Sequence, residues 1–151
     1  MDQVVYQQYD IEAITRRLPH RYPFLMVDRI LKAGPGYALG MKNVTINEPY
    51  FGGHFPEYPV MPGVLVTEFL LQTSAFMGAT SSEDVVPDPA STRFFCVGFN
   101  MKFSKPVVPG DQLRGEVKLV RKLKDMSRVK AVVTTDEGQI ASGELSIAIV
   151  N

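Results

Sequence analysis

The chain has 151 residues and a mass of 16.8 kDa, 45% hydrophobic and 21% charged, which is the size and make-up of one globular domain spanning 1–151 with its own core. Sixteen basic side chains balance sixteen acidic ones and there is one cysteine, Cys96, which removes a whole-chain charge argument for nucleic acid, an internal disulfide and a zinc cluster. The opening MDQVVYQQYD lacks the basic-then-apolar pattern of a signal peptide, and no apolar run is long enough for a bilayer, so the expectation is a cytoplasmic protein without nucleic-acid or membrane partners.

Taken in order, Asp10 is placed to cap a short helix over residues 10–17, with Ala13 leaving the capping box incomplete. Ile11, Ile14 and Leu18 share a face, and Pro19 closes the helix. FLMVDRILKA (24–33) reads as a strand ending at the Gly34–Gly36 turn, and YALGMKNVTIN (37–47) as its hairpin partner. Arg21 and Asp28 read as a charge pair that holds this region together. The stretch 49–80, PYFGGHFPEYPVMPGVLVTEFLLQTSAFMGAT, opens as a loop around His54, one of two histidines, and becomes the strongest helix in the chain. Pro62 suits the first helical position, and no breaker follows from Gly63 to Met77. About 16 residues at roughly 1.5 Å each make a rod of about 24 Å.

Apolar on nearly every side, that helix is expected to be buried, yet Glu68 and Gln72 lie one turn apart on one face. A buried acid is rare unless it is paired or takes part in a site. Residues 81–92 form a polar, proline-bearing segment, expected to be the most mobile. Four β-rich segments follow, separated by Pro109-Gly110-Asp111, Lys124-Asp125 and Asp136-Glu137-Gly138. In GEVKLVRKLK, Val117, Leu119 and Arg121 alternate with Glu116, Lys118, Val120 and Lys122, the pattern of a half-exposed strand. Cys96, in FFCVGF, reads as a small buried apolar residue. One long helix with five or six antiparallel strands is an α+β chain, a curved sheet wrapped round the helix. Its edge strands need covering, and a dimer paired edge to edge would do it.

Three phrases, LPHRYPFLMVDRI (18–30), GGHFPEYPVMPGVLVTEFLLQ (52–72) and KFSKPVVPGDQL (102–113), resemble in order and register the 3-hydroxyacyl-acyl-carrier-protein dehydratases of the FabZ type. The resemblance covers about residues 10–150. It implies a hot-dog fold, a role in type II fatty-acid synthesis or a related lipid or polyketide route, and a homodimer, often three dimers in a hexamer, with active sites at the dimer interface. It places His54 on the family's catalytic histidine and Glu68 on its catalytic acid, supplied by the other subunit. Glutamate rather than aspartate at that position favours plain dehydration. The chain departs from the family pattern at Glu57 and Tyr58 and at Phe69, Leu70 and Leu71, where larger side chains bear on the acyl tunnel.

Eliminating water from a 3-hydroxyacyl thioester takes a base for the C2 proton, an acid for the leaving hydroxyl and a donor for the enolate-like oxygen. Histidine changes charge near neutral pH and suits the base, here His54. Glu68 in an apolar helix should hold its proton through desolvation and suits the acid. Gly63 at the helix start offers a backbone N–H to the oxygen, and Gln72 can orient the carboxyl. No metal or organic cofactor is called for; the substrate brings its phosphopantetheine and its partner, the acyl carrier protein. Lys102, Lys105, Arg121 and Lys122 could receive that acidic partner. His20 reads as structural. Two other readings remain: a hot-dog acyl thioesterase using the helix acid, and a non-catalytic acyl-carrier-binding subunit.

Overall fold

The computed structural model describes residues 3–78, 91 and 93–150. They form β1 (Gln7–Tyr9), α1 (Ile11–Arg17), β2 (Arg29–Gly34), β3 (Tyr37–Asn43), a 3₁₀ turn (Pro49–Gly52), α2 (Gly63–Ser74), β4 (Arg93–Phe103), β5 (Gln112–Leu123), β6 (Met126–Thr135) and β7 (Gly138–Val150). The seven strands make one antiparallel sheet in the order β1-β2-β3-β5-β6-β7-β4, with α2 against β3 and β5. The sheet curves round the helix in a hot-dog fold. The polar segment over 81–92 lies outside the described residues, apart from Ser91.

The short helix forms as its signals dictate. Asp10 accepts the Ala13 N–H at 2.9 Å, and Leu18 ends the helix with its N–H on the Ile14 carbonyl. Ile14 and Leu18 are fully buried, whereas Ile11 is 46% exposed.

Segment 24–33 departs from expectation, because ahead of Asp28, whose N–H bonds to the Met41 carbonyl of β3, it has no strand partner among the described residues. The side-chain amide of Gln72 instead accepts from the Met26 N–H (2.7 Å) and donates to the Phe24 carbonyl (2.8 Å). Sheet pairing proper starts at Arg29. Nor do Arg21 and Asp28 pair with each other. Arg21 donates to the carbonyls of Thr15, Leu18 and His20, and Asp28 accepts the Asn43 N–H. Charged side chains placed beside free backbone groups hold the fold without an ion pair.

The central helix is shorter than expected, 12 residues ending at Ser74. Beyond it Phe76 and Met77 make tighter i→i+3 bonds, and the N–H of Gly78, at φ +90°, turns away to the Gly34 carbonyl of β2. Pro62 precedes the first helical residue rather than occupying it. One face is buried through Val66, Phe69, Leu70 and Thr73, but Val64 is 66% exposed, so this chain alone does not enclose the helix. The buried hydroxyls of Thr67, Thr73 and Ser74 bond back to carbonyls four residues earlier, which satisfies them without outside partners.

A cross-strand glycine pair seats the helix. Gly40 of β3 lies opposite Gly115 of β5, Thr73 fills the space above Gly40, and Phe69 and Leu70 fill that above Gly115. A methyl group at Gly115 would come within 2.6 Å of the Phe69 ring, which is itself fully buried and has nowhere to move. Gly115→Ala is therefore expected to cost about 1–3 kcal/mol by overpacking, read as a lowered urea midpoint at unchanged slope.

The last third forms the expected strands. The Lys124-Asp125 turn joins Leu123 to Met126 in register, with Lys124 at φ +54°. Val117 is fully buried, but around a bulge between Leu119 and Arg121 burial falls away, with Leu119 38% exposed and Val120 and Leu123 more so. At the free edge β4 exposes Phe95, Val97, Phe99 and Phe103. Cys96 is exposed with them, contrary to its apolar setting in sequence. The cause is position: an edge strand whose pairing shifts between Cys96 and Gly98 has no second layer of its own chain over it.

Candidate active site

The loop leading into α2 fixes His54 through its own backbone. The His54 N–H bonds to the Tyr50 carbonyl (3.0 Å), closing the 3₁₀ turn, and the His54 carbonyl accepts the Val60 N–H (3.0 Å). Residues 55–58 double back through paired Phe55–Tyr58 backbone bonds of 3.1 Å, and the Met61 N–H ties the loop to the Val107 carbonyl. Within this frame Nδ1 of His54 lies 2.6 Å from the Val60 carbonyl oxygen. A carbonyl only accepts, so the proton resides on Nδ1 and the lone pair is on Nε2.

His54 and Gly63 line one open cleft of about 400 Å³ with Val66, Phe103 and Lys105. Pro62 has no N–H, and its carbonyl takes the first helical bonds from Leu65 and Val66, which leaves the Gly63 and Val64 amides ahead of the helical ladder. A Cβ on Gly63 would lie 3.1 Å from the Phe103 ring, so glycine also permits that close approach.

Glu68 is five residues further along α2 and faces elsewhere. It lines a small cavity of about 50 Å³ with His20, Leu71, Gln72, Phe94 and Cys96. The two cavities share no residue, so within one chain His54 and Glu68 are not brought together. Gln72, 1% exposed, donates to Oε1 of Glu68 at 2.9 Å while its other bonds lock it to Phe24 and Met26. The residue one turn beyond Glu68 is thus in direct hydrogen-bond contact with the carboxyl. Burial pushes the Glu68 carboxyl above the usual range, with the Gln72 amide pulling more weakly the other way.

His20, read from sequence as structural, proves to be a neighbour of this carboxyl, with Nε2 3.5 Å from Oε1 of Glu68. Only the fold reveals this, because 48 positions separate the two residues in the chain. Among the three bulky residues after Glu68, Phe69 and Leu70 are committed to Gly115, and Leu71 is the one that borders the cavities. It also lines a larger, mostly apolar space of about 270 Å³ with Met77, Phe94, Leu119 and Ile149, bordered also by Arg17 and the candidate Lys122, which shares Phe94 and Ile147 with the Glu68 cavity.

The four basic candidates separate. Lys105 borders the His54 cleft and donates to the Glu137 carbonyl, while Arg121 and Lys122 lie beyond the bulge of β5. Lys102 aligns through Ser142 and Val132 with Glu116, six residues and about 20 Å along β5 from Lys122. Among the described residues no group of acidic, histidine or cysteine side chains is arranged to hold a metal ion.

A family described as the FabA-like domain matches residues 18–144. The 3-hydroxyacyl-[acyl-carrier-protein] dehydratase FabZ of Bordetella petrii is 46% identical over 145 residues, covering 94% of this chain and 96% of its own. The protein of the same name from Myxococcus xanthus is 45% identical, covering 94% of this chain and 92% of its own. In fold, the chain superposes on the dehydratase heterocomplex ApeI:P of Xenorhabdus doucetiae with a TM-score of 0.73 over 91% of both chains, at 16% identity. A hypothetical thioesterase with coenzyme A from Streptococcus pneumoniae follows at 0.58, with 12% identity over 81% of this chain and 84% of its own. The sheet and central helix define a hot-dog domain, and the family match places it in the FabA-like class. Within that class the chain belongs to the FabZ family of 3-hydroxyacyl-acyl-carrier-protein dehydratases.

Proposed function

We propose that this chain converts a (3R)-hydroxyacyl thioester on acyl carrier protein to the trans-2-enoyl thioester and water, in fatty-acid synthesis or a related pathway, as a soluble homo-oligomer. The observation that carries the reading is the hydrogen bond that ties Nδ1 of His54 to the Val60 carbonyl and leaves Nε2 as the free ring nitrogen of a residue lining the cleft at the α2 N-terminus. Nε2 takes the C2 proton. The electrons move toward the thioester oxygen, which accepts the Gly63 N–H. Glu68, whose neutral form burial favours, gives its proton to the C3 hydroxyl, which leaves as water. The imidazolium and carboxylate then return to their starting forms by exchanging protons with solvent.

The acid that meets His54 comes from a second copy. Edge strand β4 runs past both cavities, with Phe94, Phe95 and Cys96 beside Glu68 and Phe103 beside His54. Antiparallel pairing of two β4 edges across a twofold would invert one strand on the other and set the His54 end of each chain beside the Glu68 end of its partner. Such pairing would also cover the exposed apolar row. Lys105 at the cleft mouth, with Lys102, is the better-placed landing for an acidic carrier protein; Arg121 and Lys122 lie too far off to share it in one chain.

The test follows hydroxyacyl carrier substrates of several chain lengths by enoyl absorbance and by a thiol reagent in parallel. Enoyl product without free thiol is the expected result. Free thiol without enoyl would instead indicate a thioesterase, and carrier binding with neither product a non-catalytic subunit.

A further inference from the structure

The Glu68 cavity holds a second ionisable side chain that the elimination does not use. His20 is carried on the turn after α1, and that turn is rigid for a visible reason: the guanidinium of Arg21 binds the carbonyls of Thr15, Leu18 and His20 at 2.7–2.8 Å. The imidazole stacks on Phe24 with ring centroids 6.0 Å apart. The Phe24 carbonyl in turn accepts the same Gln72 amide that reaches Glu68. His20, Phe24, Gln72 and Glu68 are therefore one connected unit built from two distant parts of the chain.

Within it the two imidazole nitrogens differ. Nδ1 is buried with no partner among the described residues, while Nε2 faces Oε1 of Glu68 at 3.5 Å. A proton on Nδ1 would be a buried donor with nothing to bond among the described residues; on Nε2 it has an acceptor, Oε1 of Glu68, 3.5 Å from the nitrogen. At 3.5 Å the contact is longer than an ordinary hydrogen bond, and a shift of about half an ångström would close it. The Gln72 amide and His20 both approach the carboxyl at Oε1.

We propose that His20 is a positioning residue for the dehydration: its Nε2–H, together with the Gln72 amide, fixes Oε1 of Glu68 as the accepting oxygen and leaves Oε2 to hold the proton and hand it to the leaving hydroxyl. A neutral donor is what this role requires, because an imidazolium would stabilise the carboxylate and spoil the acid. Burial, and after it the neighbouring Arg21, push the imidazole toward its neutral form. Among the described residues the other ionisable groups facing the unit are few. Arg21 lies on the same turn; Arg17 of α1 directs its Nε to the Ala75 carbonyl; Cys96 is contributed by β4; β7 brings the apolar Ile147.

This inference rests on Glu68 being the acid of the elimination, and its test separates the two. Glutamine carries an N–H at the same reach as Nε2 of histidine, and asparagine stops one atom short. His20→Asn should lower kcat about 10- to 100-fold with KM nearly unchanged, as misplaced catalytic groups do. Its alkaline limb should move to higher pH, since a donor that favours the carboxylate is gone. His20→Gln should recover most of kcat and the wild-type limb. A folded His20→Asn enzyme with wild-type kcat and pH profile, or a His20→Gln enzyme impaired equally, would overturn the proposal. Carbon-13 NMR titration of the Glu68 carboxyl gives a readout without turnover. It should shift upward in His20→Asn, and identical titration in both proteins would overturn the proposal whatever the rates. Full turnover by Glu68→Gln would instead remove the acid role and leave the NMR result to stand on its own.

Discussion

Glu68→Gln is expected to lower turnover about 10²- to 10⁴-fold, the usual worth of a positioned general acid. The substitution is nearly isosteric, and an amide oxygen can still accept from Gln72 Nε2, so the bonds from Gln72 to Phe24 and Met26 should persist. What disappears is a transferable proton. The same burial gives a pH signature. Because the carboxyl sits above its usual range, the donating form survives to higher pH than a free glutamate would allow, and wild-type turnover should fall as pH rises through that raised value. Stability moves the same way. A group whose folded pKa is raised stabilises the fold fully below its unfolded value, and that contribution is lost as pH rises through the folded value. The neutral glutamine has no such loss, so Glu68→Gln should hold its melting temperature across that window while the wild type declines. A variant that is inactive yet at least as stable separates lost chemistry from lost folding. Wild-type turnover in Glu68→Gln would exclude the acid role.

Mixing His54→Ala with Glu68→Gln is expected to restore activity that neither variant has alone. In a dimer whose sites each take His54 from one copy and Glu68 from the other, a mixed pair contains one site with both residues intact and one with neither. Random exchange makes half the pairs mixed, each with one working site of two, so about a quarter of wild-type activity should return under twofold symmetry. If both residues served one site within a single chain, every site in every pair would lack one of them and nothing would return. The motive is the separation seen in the single chain, with His54 and Glu68 in cavities that share no residue. Refolding the two variants together, with each refolded alone as the control, makes the comparison.

Local chemistry was legible in the chain wherever neighbours in sequence are neighbours in space. Asp10 capping α1, the Lys124-Asp125 hairpin, the α2 start after Pro62, and Gln72 one turn from Glu68 all depend on contacts within a few residues. The family phrases around His54 and Glu68 identified the chemistry for the same reason, since each is a continuous run.

What the sequence could not specify was set by strand order. Cys96 and its apolar neighbours look buried in a list of residues, but β4 falls at the sheet edge and they face outward. Phe24–Met26 reads as strand, yet its partner is a side-chain amide 46–48 positions away rather than another strand. The end of α2 at Ser74 was decided by the pull of Gly78 onto β2, and the seat for Phe69 and Thr73 by two glycines that meet only when β3 pairs with β5. His20 became a neighbour of the Glu68 carboxyl through that same folding. The sequence by itself determined which groups this protein has for chemistry and the local elements that bear them. Only the tertiary structure decided which of those groups meet, because non-local contacts follow from the order in which strands pair and carry no local signature in the chain.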